Sequence, residues 1–66
     1  MSETLRQLRA RAKREAPYVG IRPYSHNIIR LTLAQIEKDH GRAAANKTVR
    51  DFNLAAKGFN EEPERD

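Results

Sequence analysis

The chain contains no cysteine and no tryptophan, only 3 glycines and 3 prolines among 66 residues, and no apolar run longer than a few residues. Without cysteine there are no disulfides, thiolate metal ligands or thiol nucleophiles, a usage that fits a reducing cytoplasm. A bilayer span needs about 20 apolar residues, and Met1 to Glu15 is charged throughout without the apolar centre of a signal peptide. The expectation is a soluble, cytoplasmic protein with no membrane contact. The glycines never form a phosphate-cradling run. A domain of this size buries only about 60% of the surface its unfolded chain exposes, so the core must be small.

Positive charge is plentiful. The net charge is +4, but four of the acids lie in residues 61–66 beside Arg65, and setting that tail aside leaves 12 basic and 5 acidic side chains, a balance of +7. A basic body with an acidic tail points to nucleic acid or to an acidic protein surface as partner. Residues 1–60 are expected to form one helical domain, followed by a disordered acidic tail over 61–66.

Three helical patterns predict an all-α, three-helix domain. Leu5, Leu8 and Ala12 repeat at helical spacing between Ser2 and Ala16, with Ser2 placed to cap and Glu3 near the positive end of the helix dipole. Pro17, Gly20 and Pro23 interrupt helix. Tyr18, Val19, Ile21 and Tyr24 in that connector are expected to lie over the core, with the phenol oxygens reaching water or backbone. A second helix over Ser25–His40 starts with Ser25 as cap and carries Ile29, Leu33 and Ile36 as its main stripe. Ile28 and Leu31 form a neighbouring apolar face, to be covered by the first helix or by a second subunit in a homodimer. Gly41 stops this helix and the alanine-rich run Arg42 to Ala45 restarts one at once. The third helix is expected to reach Lys57, with Ala45, Val49, Phe52, Ala56 and Phe59 on its packing face and Phe52 at the centre of the core. Gly58 then ends it, and Phe59 folds back toward Leu54.

The opposite side of this third helix carries Arg42, Asn46, Lys47, Arg50, Asn53 and Lys57 at about 100° per residue. Lys and Arg neutralise phosphates, whereas Asn46, Asn53 or Arg50 could hydrogen-bond base edges. Arg6, Arg9 and Lys13 would add backbone contacts. In the rival reading the same stripe meets an acidic protein and Ile28 and Leu31 are its buried anchors. Catalytic and metal constellations are not expected. His26 and His40 stand at opposite ends of one helix, not at the i, i+4 spacing of a zinc pair, and Glu37 and Asp39 point apart. No cofactor is implied.

Thr32 to Gly41, followed by Thr48-Val49-Arg50, resembles a helix-turn-helix DNA-binding unit: a first helix, a turn glycine, then a recognition helix. Glu37 stands where that pattern has a small residue. Across the whole chain, Tyr24 to Ile29, Gly41 to Asn46 and Leu54 to Phe59 look like small uncharacterised proteins of phages and prophages. That resemblance implies a short binder that redirects host machinery in the host cytoplasm.

Overall fold

The computed structural model describes residues 3–63. Its elements are helix α1 (Leu5–Glu15), a 3-10 turn (Ala16–Tyr18), helix α2 (Ser25–His40), helix α3 (Arg42–Asp51) and a second 3-10 segment (Leu54–Lys57). The architecture is all-α, three helices with no strand among the described residues.

The first helix begins later than Ser2, which lies outside the described residues. Thr4 is the cap. Its Oγ1 accepts the Gln7 N–H at 3.1 Å while Gln7 Oε1 accepts the Thr4 N–H at 2.9 Å, so two donors at the helix start are satisfied reciprocally. Glu3 instead pairs with Arg11, two turns into the helix. Ser25 is likewise not a cap. The capping position is Tyr24, which makes no side-chain capping bond, and Ser25 is the first helical residue. It is fully buried, and its hydroxyl donates to Glu15 Oε1 at 3.0 Å, tying the end of α1 to the start of α2.

The core has two ends. Leu8, Ile36 and Ala45 cluster at one, and Ala16, Ile29, Val49, Leu54 and Phe59 at the other, with Leu33 packed against both. Early residues of α1 therefore meet late residues of α2, which meet early residues of α3, so successive helices run antiparallel. The stripe of α2 that is buried consists of Ser25, Ile29, Thr32 and Ile36. Thr32 and Thr48 enter the interior by donating their hydroxyls to the carbonyls of Ile28 (2.7 Å) and Ala44 (2.9 Å), four residues back on the same helix. No buried side-chain polar atom among the described residues lacks a partner.

Gly41 alone joins α2 to α3. Its φ of 95° and ψ of 162° are open only to glycine at low cost. The expected continuation of the third helix to Lys57 does not occur. α3 ends at Asp51, and Asn53 takes the left-handed conformation (φ 53°, ψ 42°), turning the chain so that Leu54 enters the core. After Leu54–Lys57 the Phe59 N–H reaches the Leu54 carbonyl at 3.1 Å and the Gly58 N–H the Ala55 carbonyl at 3.1 Å, the paired bonds of a glycine C-terminal cap, with Phe59 packed on Leu54 as expected.

The early break corrects the packing face. Phe52, expected at the centre, is half-buried at the point of reversal, and Ala56 is exposed, because neither continues the helical register of Ala45 and Val49. The connector is corrected too. Val19 packs against the core, but Ile21 is 76% and Tyr24 53% exposed, since the turn closed by the Ile21 and Arg22 N–H groups on the Tyr18 carbonyl carries them outward.

Ile29 and Leu54 have no exposed surface and touch several elements. Ile29→Ala and Leu54→Ala should each cost about 2–5 kcal/mol, while Phe52→Ala should cost less than either. Urea unfolding followed by circular dichroism measures this order, and a Phe52→Ala loss larger than both would place the core at the wrong end of α3.

Candidate nucleic-acid interface

The outward ridge of α3 is set by the helical period: Ala43, Lys47 and Arg50 lie side by side and are all exposed. One flank of the ridge belongs to α1. Arg9 Nη2 meets Asp51 Oδ2 at 2.7 Å and its guanidinium lies 5.1 Å from the centroid of the Phe52 ring. The same Asp51 oxygen lies 3.2 Å from Lys47 Nζ, one helical turn back. Two cations from different helices thus share one carboxylate. Arg6 and Lys13 adjoin Arg9 on the outer side of α1, both exposed and without an ion pair among the described residues.

The other flank belongs to the returning C-terminal segment. Asn46 is only 5% exposed, with its carboxamide fully engaged: Oδ1 accepts the Glu62 N–H at 2.8 Å and Nδ2 donates to the Glu62 carbonyl at 2.6 Å. Arg42 donates from Nη1 to the Pro63 carbonyl at 2.9 Å and from Nε to Glu37 at 2.5 Å. Arg50 Nε lies 3.4 Å from Glu61 Oε1. Residues 61–63 of the tail have no regular secondary structure yet rest on α3, and residues 64–66 lie outside the described residues.

The expected stripe of six side chains is therefore divided. Arg42, Asn46, Lys47 and Arg50 share α3, with Asn46 under the tail, whereas Asn53 and Lys57 lie past the helix end, exposed and off its axis. Of Arg6, Arg9 and Lys13 only Arg9 joins the α3 residues, through Asp51, and the other two lie beside it on α1. Ile28 is half-buried and Leu31 is 54% exposed, so the second apolar face of α2 is only partly covered within the chain. Sequence reasoning missed Asp51 as the group that unites the two basic rows, although its i, i+4 spacing from Lys47 is a usable signal. It also missed Glu37, Glu61 and Glu62 as partners, which only the tertiary turn brings near.

A groove of about 380 Å³ separates α2 from the returning segment, its lining including Arg30 and Arg42 opposed by Glu37 and Glu62. With two cations against two acids it has no net sign to select an anion. The histidines stand apart: His26 is exposed and stacks on Phe59 at 4.5 Å between centroids, and His40 is exposed at the far end of α2. Among the described residues no group of three His, Cys, Asp or Glu could hold a metal ion, and no helix is long and apolar enough to cross a membrane.

Compared with known proteins, the chain matches no family model, no curated protein and no solved structure. The geometry itself defines the class of candidate site, a basic surface shared by two helices and flanked by an acidic segment.

The Arg9 hydrogen bond, reinforced by Lys47, holds the Asp51 carboxyl below its ordinary value of 3.8. A depressed folded value means that Asp51 contributes stability above its unfolded pKa and loses it as pH falls through the folded one. The melting temperature of the wild type should therefore exceed that of Asp51→Asn at neutral pH and converge on it in strong acid. A difference independent of pH would separate Asp51 from the acid response.

Proposed function

We propose that this protein is a small non-enzymatic binding protein that contacts nucleic acid, duplex DNA first, through the basic surface where α1 and α3 meet. The observation that carries the reading is the Arg9–Asp51–Lys47 cluster, in which one carboxylate draws two cations together and leaves an excess of positive charge bordered by Arg6, Lys13 and Arg50. Phosphates spaced along a duplex match such a row, and each one neutralised releases counterions. An α-helix fits the major groove, about 12 Å wide. With the ridge of α3 facing that groove, Lys47 and the α1 cations position the protein on the backbone, while Arg50 reads guanine through its planar fork. Asn53 and Lys57, beyond the helix end, are left to backbone contact. The role is regulatory: occupancy of a site rather than chemistry on it.

A second reading rests on Tyr24, at the cap of α2, and on Ile28 and Leu31 within it, which follow at helical spacing, with Tyr24 and Leu31 more than half exposed. Such a row can anchor a protein partner, with the basic residues meeting its acidic rim, as in a phage-type inhibitor or adaptor of a host nucleic-acid-processing protein. A second copy of the chain could cover the same row.

Fluorescence anisotropy with a labelled duplex across a salt series tests the first reading. The log–log slope of affinity against salt should be about −0.9 per phosphate contacted, and Lys47→Ala should shrink it by about one while weakening all sequences alike. Arg50→Ala should lose preference at one base pair by about 1–3 kcal/mol. No duplex binding even at low salt, together with partner capture that Leu31→Asp abolishes without loss of helix content, would transfer the function to the protein-binding surface.

A further inference from the structure

The tail contact with α3 has a chemistry of its own. Asn46 engages a single residue, Glu62, through both its backbone N–H and its backbone carbonyl. That donor and acceptor pair is what the edge of adenine presents in the major groove, where asparagine is the usual bidentate partner. One position earlier Glu61 sets the two acceptor oxygens of a carboxylate beside the guanidinium of Arg50, where the O6 and N7 acceptors of guanine would lie. One position later the Pro63 carbonyl accepts from Arg42. Three consecutive tail residues thus satisfy three α3 side chains at i, i+4 and i+8. From this we infer that the C-terminal segment is a built-in competitor: it occupies the α3 site as a mimic of nucleic acid and must leave before Arg42 and Asn46 can engage a duplex.

The inference rests on the nucleic-acid reading and adds a regulatory step to it. Displacement is feasible because the contacts are few and mostly at the surface. Surface ion pairs contribute only about 0.2–1 kcal/mol, and the segment has no regular structure to unfold. The Lys47, Arg6 and Lys13 side remains uncovered, so a duplex can load there first and compete for Arg50, Asn46 and Arg42 afterwards.

Two measurements on the full chain test this. In the first, duplex affinity is compared for wild type, Glu61→Gln/Glu62→Pro, which takes the carboxylate from Arg50 and the N–H from Asn46, and Glu3→Gln/Asp39→Asn, two double variants with the same change in net charge. The tail variant should bind roughly three- to tenfold more tightly at low salt, through the ion pair and the hydrogen bond together, beyond the control. In the second, hydrogen exchange at the Glu62 amide is followed by NMR; it should be slowed in the free protein and accelerate to the rate of an open chain once duplex is added. Equal gains in the two variants, or Glu62 protection that persists at saturating duplex, would overturn the competitor while leaving duplex binding in place. Failure of all three proteins to bind at low salt would instead remove the nucleic-acid reading, and the competitor with it.

Discussion

Asn53 leaves the helical region for left-handed backbone, a conformation that asparagine tolerates better than most residues because its short polar side chain bonds locally. Everything beyond it is placed by that one reversal. A helix continued through residue 53 would carry Leu54 away along the axis of α3, and the core end formed by Ala16, Ile29 and Val49 would stand open. Instead the turn delivers Leu54 to full burial, the Gly58 cap sets Phe59 against it, and the chain emerges headed back across Asn46. Phe52, caught at the pivot, gives up part of its burial and becomes the ring over which Arg9 lies. The packing of the core and the covering of the basic face are thus two results of the same backbone torsion.

The interior explains how so short a chain closes at all. Among the described residues, four large aliphatic side chains have no exposed surface, Leu8, Ile29, Ile36 and Leu54. Ser25, Thr32 and Thr48 fill the remaining space, each with its hydroxyl bonded, which offsets the desolvation that an unpaired hydroxyl would suffer. Small polar residues let helices approach closely where larger apolar ones would hold them apart. On the surface the same economy holds for charge: Arg9, Arg11, Arg42, Lys47 and Arg50 each have a carboxylate neighbour. The excess of positive charge is carried by the side chains left over, of which Arg6 and Lys13 flank Arg9 on the outer side of α1.

Much of the framework was readable from residues alone. The limits of α2, the stop at Gly41, the immediate restart at Arg42 and the return of Phe59 onto Leu54 follow from glycine position and apolar spacing, which local physics controls. Thr4 with Gln7 three residues later was also readable as a reciprocal cap, and Ser2 competed for the role on composition only. The end of α3 was not readable, because Val49, Phe52, Ala56 and Phe59 keep helical spacing through the break and only the demand of the core for Leu54 decides against it. The candidate site divides along the same line. Arg42, Asn46 and Arg50 announce a shared face by their spacing; what rests on that face depends on a reversal that no local pattern specifies.

The junction at Gly41 has a consequence for assembly. One residue separates two helices, and that residue sits in backbone space that a side chain strongly disfavours. Alanine there would strain the bend and, as the best helix former, would favour a single straight rod from Ser25 to Asp51. A rod cannot fold onto itself, so its apolar stripes would seek the matching stripes of a second chain, exchanging α3 between two molecules. Gly41→Ala would then be seen as a doubled hydrodynamic mass at unchanged helix content, and a monomer would mean that the bend survives the strain.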